Sequence, residues 1–572
     1  MNKSLFLAPL FMAAFASCSN EDVAMESNGN EQTSGVSYLS VNIMNTTSGG
    51  GAGAKGIAKA NEEFEYGIGQ ENKVERVRFY FFDVDGNSAI VKHNAITGKY
   101  ESFLDYNTAE TTDGTDDNIE KVINTTLVIQ SPDGDQLPAS IIAVVNPTIA
   151  LQGTDITSIE NLNEKVSETL TDEKANFMMS NSIYHVNGTK MEAVSVKGAL
   201  RKTAEAAIAE PVIIHVERQA AKVRVENNVK ANEYGVYPTS PADGKKNIFK
   251  DENGNPKEIF VKFLGWNTTT TAEKSYIMKS INTTWDEKIF ADYGEPWNSV
   301  DYCRSYWAQN PKELYYKHFA FNSGFNPANA KEFFDVKDKE NYKSFSYIHE
   351  NADGATKNTK VIVAAQLCDE QGNPITVAEF LGFKYCLSDL KTAMLAQQPN
   401  IYKEVMIDGK PGRERLTVDD VKFVSAATIE GKDIETGRYW SYIQIIDTEA
   451  KYFAGKEESA KPLDATEVNE KLVKIGKAKV WNEGMTYYFF DIRHLGTKYD
   501  KETDTYGTGY YGVVRNHVYN AKVNTLVGLG TPVLDPDEVI YPEKPEGDET
   551  YIAAQINILA WRVVDQDVDL NW

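Results

Sequence analysis

Residues 38–44 read Tyr38-Leu39-Ser40-Val41-Asn42-Ile43-Met44, and their alternation sets the character of the whole chain. Leu39, Val41 and Ile43 share one face while Ser40 and Asn42 share the other, the period-two pattern of a half-buried strand. Directly after it comes Ser48-Gly49-Gly50-Gly51-Ala52-Gly53-Ala54-Lys55-Gly56, too rich in glycine to hold a regular element. A phosphate-binding loop needs Gly-Lys followed by Ser or Thr and a helix, whereas here Ala54 precedes Lys55 and Gly56 follows it. The run therefore reads as a flexible loop that offers Lys55, and secondarily Lys59, to a protease.

Toward the C-terminus, strand signals recur. Val77, Phe79 and Phe81 alternate with Arg78 and Tyr80 and stop at Asp83-Val84-Asp85-Gly86-Asn87. Thr126 to Ile129 and Ile141 to Val145 each end at turn residues. A second series starts with Val212 to Val225 and continues through 259–266, 360–367, 485–490 and 510–527. Helices are expected at 157–170, with Ile159, Leu162, Val166 and Leu170 on one side, around 376–397 and at 465–474. The near-copies at 251–256 and 369–374 lack the ligand positions of a calcium loop and read as hairpin turns. This pattern predicts a mainly β protein: an N-terminal β-sandwich over 56–210, a C-terminal one over 211–534, and short helical insertions.

Toward the N-terminus, 19–35 is a polar tether. Residues 1–17 combine a lysine, a short apolar run and small residues ahead of Cys18, the form of a signal peptide too short to span a bilayer. Phe15-Ala16-Ser17-Cys18 resembles a bacterial lipobox, which implies cleavage between Ser17 and Cys18 and acylation of the Cys18 sulfur. Glu21, Asp22 and Glu26 resemble the acidic surface-export signal of Bacteroides-type bacteria. Residues 18–55 then form a lipidated tether ending in a removable strand.

The far end repeats the near one. After an acidic spacer punctuated by Pro536, Pro542 and Pro545, residues 554–559 (Ala-Gln-Ile-Asn-Ile-Leu) follow 39–44 (Leu-Ser-Val-Asn-Ile-Met) position by position: apolar, polar, apolar, Asn, Ile, large apolar. Residues 535–572 thus read as a spacer and donor strand, with Ala554, Ile556, Ile558 and Ala560 facing inward. A groove vacated by the head strand exposes apolar side chains and unpaired backbone groups, and a neighbour's tail fills it by strand addition. Head-to-tail contacts of this kind do not close, so they build filaments.

The chain carries 83 acidic against 59 basic residues, which argues against a nucleic-acid partner. Its seven histidines fall in no HExxH spacing, no GxSxG or CxxC occurs, and neither a catalytic site, a metal site nor a cofactor is expected. Cys303, Cys368 and Cys386 match no zinc spacing, and whether Cys368 and Cys386 pair stays open.

Together the lipobox, 73–83, 216–225, 513–532 and the closing INILAWRVVDQDVDL resemble the fimbrillins of Bacteroidales type V pili, most of all the minor-fimbrium shaft subunits. The resemblance implies two transthyretin-like antiparallel β-sandwiches and export as an outer-membrane lipoprotein. It further implies trimming by a trypsin-like surface protease, then head-to-tail polymerisation with accessory tip and anchor proteins in a fimbrium that supports adhesion or biofilm formation. That pattern has arginine at the cleavage loop, whereas here no arginine precedes Arg76, so cleavage is expected at Lys55 or Lys59. Two other readings compete: a tip or anchor subunit of such a fimbrium, and a surface glycan-binding lipoprotein.

Overall fold

The computed structural model describes residues 36–46, 67–107, 112–113, 119–130, 137–151, 155–239, 246–285, 297–301, 303–352, 357–398, 400–494, 509–545, 552–554, 556–560 and 562–571. The architecture is mainly β, with several sheets, sandwich-like packing and short helices.

The first sheet has nine strands. Its main members are β1 (Val36–Thr46), β2 (Arg76–Phe82), β3 (Phe103–Asn107), β4 (Ile119–Gln130), β5 (Ser140–Val145), β6 (Met179–Asn181) and β7 (Val212–Arg218), in the order β3-β2-β5-β6-β7-β1-β4. The inward residues of β1, β2, β4, β5 and β7 meet in one apolar core. Val77, Phe79 and Phe81 of β2 belong to it, while Tyr80 and Phe82 point the other way into a second cluster with Ile277, Trp297 and Trp307. Both faces of β2 are therefore covered, so its alternating sequence does not produce a wet side.

The helix expected over 157–170 is only one turn long, α1 (Ile159–Asn163), capped by the Ser158 side chain. Val166 and Ser167 leave it to pair with Ser275 and Tyr276 in a strand contact that outweighs the local helical pattern. A second short helix, α2 (Ala204–Ala209), precedes β7.

The run expected as one strand from 212 to 225 is two. β7 belongs to the first sheet, and β8 (Ala221–Asn227) opens the second part of the molecule after a break at Gln219-Ala220. The passage between the two halves therefore lies beyond the boundary expected near 210, because β7 pairs with β1 and β6.

In the second part, β9 (Phe260–Thr269), β10 (Ser346–Ile348), β11 (Lys360–Cys368), β12 (Met485–Asp491) and β13 (His517–Val527) supply two facing sheets. One runs β10-β8-β13; the other runs Tyr237–Pro238, β9, β11, β12, Thr531–Pro532. They share a core of Val223, Val261, Trp266, Val363, Tyr488 and Val523 among others. β11 is buried on both faces, since Ile362 and Ala364 pack outward beneath Phe321, Val533 and Ile540. Both Asp-Gly turns close hairpin-like loops: Asp251 Oδ1 accepts from the Asn253 and Asn255 amides, and Asp369 Oδ1 does the same for Gln371 and Asn373.

Between β11 and β12 the chain inserts a separate small unit with its own core. A five-stranded sheet, Phe383–Tyr385, Val377–Phe380, Ala478–Trp481, Trp440–Ile445 and Val421–Ser425, is covered by helices Leu387–Leu395 and Ala465–Val473. The first of these helices was expected to begin near 376, but Val377–Phe380 is a strand paired with Ala478–Trp481. Among the described cysteines, Cys303, Cys368 and Cys386 are free thiols.

Candidate functional site: a strand slot in the first sheet

β1 lies inside its sheet, not at an edge. On one side it runs parallel to β7, from Val41 opposite Val212 to Asn45 opposite Val216. On the other it runs antiparallel to β4, from Val36 opposite Gln130 to Asn45 opposite Lys121, with a register slip between Asn45 and Thr46. Residues directly opposite share a face, so three inward rows form: Leu39 with Leu127, Val41 with Thr125 and Val212, and Ile43 with Ile123 and Ile214. Leu39, Val41 and Ile43 are each 0% exposed. Burial of three such side chains contributes roughly 5–9 kcal/mol, at about 1.5–3 kcal/mol each.

Beyond β7, at the start of β1, Arg201 takes over the pairing. The Tyr38 amide donates to the Arg201 carbonyl at 2.7 Å, and the Arg201 amide donates to the Tyr38 carbonyl at 2.9 Å. The Ser40 hydroxyl donates to the Thr125 carbonyl at 3.4 Å. The Thr125 hydroxyl, in the slot's middle row, is buried without a hydrogen-bond partner. The sequence pointed to β1 but to neither Arg201 nor Thr125, since nothing local marks a residue that pairs with a distant strand.

The stretch that follows the expected cleavage loop is pinned independently of β1. Glu71 is fully buried: Lys222 Nζ stands 2.9 Å from its Oε1, the Tyr347 hydroxyl donates to the same oxygen, and Arg218 Nε donates to the Glu71 carbonyl at 2.6 Å. Arg218 closes β7 and Lys222 lies in β8, so this anchor grips the passage between the two halves. Burial pushes the Tyr347 hydroxyl far above the usual tyrosine range, with the Glu71 carboxylate adding to it. Nearby, Lys279 Nζ lies 2.8 Å from Glu217 Oε2, and Arg515 binds Glu350 at 3.1 Å. Burial brings the Lys279 ammonium down to about 8, against the pull of Glu217. It also lowers His349 to about 4 and His494 to about 3, and holds His517 well below its ordinary value.

At the other end of the chain, the backbone of β14 (Ile552–Ala554), β15 (Ile556–Ala560) and β16 (Arg562–Asn571) lies on β13 of the same molecule. β16 runs parallel to β13 from Val518 opposite Val563 to Val527 opposite Asn571, and β14 and β15 pair back onto β16. The described part of the spacer is docked, and it is not extended throughout: it begins in a turn at Pro536-Asp537, where the Glu538 amide donates to the Asp535 carbonyl at 3.3 Å. The Asn322 amide donates to the Pro536 carbonyl at 2.9 Å, the Ile540 amide to the Phe319 carbonyl at 2.9 Å, and Arg438 Nη1 to the Val539 carbonyl at 2.8 Å. The positions Ala554, Ile556, Ile558 and Ala560 thus sit in the C-terminal sheet, away from the slot. Ser17, Cys18, Lys55 and Lys59 lie outside the described residues.

Among the described residues no three of His, Cys, Asp or Glu stand together as a metal site, and no helix is long and apolar enough to cross a membrane. Residues 479–567 match the family described as "Major fimbrial subunit protein type IV, Fimbrillin, C-terminal", a family of structural proteins and not of enzymes. No curated protein matches the chain. Similar solved structures include a putative cell adhesion protein of Parabacteroides distasonis (10% identity, 87% of this chain and 92% of that one, TM-score 0.35). Another is a putative cell adhesion protein of Bacteroides eggerthii (11% identity, 93% and 98%, TM-score 0.35). The tip fimbrial protein Mfa3 of Porphyromonas gingivalis is similar at 10% identity, 94% and 100% coverage and a TM-score of 0.29. Likenesses this distant carry no argument about function.

Proposed function

We propose that this chain is a structural shaft subunit of a bacterial cell-surface fimbrium, built of two transthyretin-like halves and polymerising by protease-triggered strand exchange. The observation that carries the reading is β1: an interior strand whose three inward side chains are fully buried, placed just ahead of the glycine-rich loop with Lys55 and Lys59. Cutting at Lys55 or Lys59 frees β1 from everything downstream, while the buried Glu71 anchor keeps residues from Gly67 onward in place. Loss of β1 strips two strands of their partners and opens an apolar groove, a state costly enough to demand refilling.

The donor is the tail of a second copy, with Ala554, Ile556, Ile558 and Ala560 in the places of Leu39, Val41, Ile43 and Asn45. The fimbrillin match over residues 479–567 supports this assignment, because it spans β12, β13 and most of the tail. Before trimming, Cys18 carries the lipid that holds the precursor on the outer membrane, released from its signal peptide after Ser17. In the fimbrium the partners are further copies of the chain, together with tip and anchor proteins, and the finished fibre serves adhesion.

The test is limited trypsin digestion of the soluble precursor lacking residues 1–18, followed by unboiled SDS gel electrophoresis. A ladder of multimers with a new N-terminus at Gly56 or Ala60 is expected. A trimmed chain that stays monomeric overturns the shaft reading and favours a tip or anchor subunit or a glycan-binding lipoprotein.

A further inference from the structure

Among the described residues, the segment from Ala199 to Val212 runs beside the start of β1 and over its outward face. From Ala199 the chain pairs with Tyr38 at Arg201, turns through α2 and re-enters the sheet as β7. The Thr203 hydroxyl caps α2 by accepting from the Ala206 amide at 3.3 Å, and the Arg201 guanidinium closes the base of this strap onto Glu210. α2 lies against β1 and β4. Ala199 and Leu200 pack into the core inside the sheet, but Ala207, the single fully buried residue of α2, stands outside that core, which puts the helix on the opposite face. On that face Ser40 is 6% exposed although Asn42 and Met44 are half-buried and the flanking Val128 and Ile213 are exposed. Ser40 is thus the buried residue of that face, and it is small.

We propose that the strap from Arg201 to Val212 is a size gate on the slot, closed over a small outward residue in the place of Ser40 and lifted by a larger one. The inference rests on the strand-exchange reading. In the head-to-tail alignment Gln555 takes the place of Ser40, so a hydroxymethyl group gives way to a carboxamide two methylenes out. Close-packed cover has no spare volume for that increase. The gate therefore shuts on the precursor's own strand and opens on the donor, and the backbone groups of Arg201 that β1 leaves behind pair with the tail at residue 553. This makes position 555 the determinant of whether a polymerised subunit keeps the surface of its precursor.

Hydrogen–deuterium exchange of peptides spanning 199–212 tests this in four samples: precursor, Ser40→Gln precursor, trypsin-trimmed polymer, and trimmed polymer of Gln555→Ser. Exchange at least tenfold faster than in the precursor is expected for the Ser40→Gln precursor and the unsubstituted polymer, with precursor-like protection restored in the Gln555→Ser polymer. A multimer ladder whose strap is as protected as in the precursor, or a Gln555→Ser polymer as open as the unsubstituted one, overturns the gate and leaves strand exchange standing. A trimmed chain that remains monomeric overturns strand exchange itself. The Ser40→Gln precursor needs no polymer, so an unaltered strap in that folded variant also overturns the gate.

Discussion

Replacing Ala554 by leucine should lock the polymer. In the precursor the place that Ala554 would take is filled by Leu39, fully buried opposite Leu127. An alanine there leaves most of a leucine side chain's volume unfilled, and buried Leu-to-Ala changes cost about 2–5 kcal/mol. The neighbouring exchange works the other way, since Ile556 brings one methylene more than Val41 and loses about 1 kcal/mol to crowding if the walls do not give. Ala554→Leu should therefore recover about 2–3 kcal/mol, because the slot has already been shaped around a leucine. At about 1.4 kcal/mol per decade this is roughly a 30- to 140-fold slower loss of subunits. The assay is the exchange of fluorescently labelled trimmed subunits into unlabelled polymer, with the heat-induced dissociation of the ladder in SDS as a second readout. The melting temperature of the uncut precursor serves as control for effects on the tail's own docking. Polymers that form but dissociate at the unsubstituted rate, or faster, would mean that residue 554 does not replace Leu39, and the register would be wrong.

Three further outcomes are expected. Val41→Asp places an unpaired carboxylate in the middle row of the slot and should drive β1 out of the uncut precursor, giving oligomers on size exclusion without any protease; a monomer with unchanged urea stability would count against the slot. Glu71→Gln removes the carboxylate charge that stands 2.9 Å from the fully buried Lys222 ammonium and should cost about 3–5 kcal/mol in chemical denaturation; a loss below about 1 kcal/mol would show that the anchor contributes little. The third concerns pH: His349 and His494 titrate at about 4 and about 3, and His517 well below the usual range, so the unfolded chain binds more protons than the folded one below about pH 6.5. Their contribution is complete above that pH and is lost as pH falls toward 4. Thermal melting followed from pH 7 to pH 4.5 should decline, His349→Gln should flatten the decline, and a variant with an unaltered slope would refute the assignment.

The legible parts of this fold are those in which local pattern and burial agree. Leu39, Val41 and Ile43 alternate because one face of β1 meets the core, and the apolar run of β11 marks a strand covered on both sides. The unreadable parts depend on partners far along the chain. Ile159, Leu162, Val166 and Leu170 have helical spacing, yet Val166 pairs with Tyr276, and no window of a dozen residues contains both. Gln219-Ala220 interrupts what reads as a single strand because the two halves draw β7 and β8 into different sheets. The charges of Glu71, Glu217, Lys222, Lys279 and Arg515 look like ordinary surface residues until their counterparts are brought together from far along the chain. The inserted unit left only its helices visible, since its strands are short and pair across long loops. The parallel pairing of β1 with β7 carries no local signal at all, for its two strands have no turn between them.

That two-sided pairing has a mechanical consequence. A strand of β1's length reaches about 35 Å, at roughly 3.3 Å per residue, with backbone bonds to a neighbour on each side. A pull along its axis loads those bonds in shear, so that they resist together. Only a sideways tug at one end can unzip them in succession. A fibre whose joints share this geometry would hold firm against drag directed along its length, as in flowing fluid. Its weak point would be the Thr46 end of each joint, where the register has already slipped by one residue.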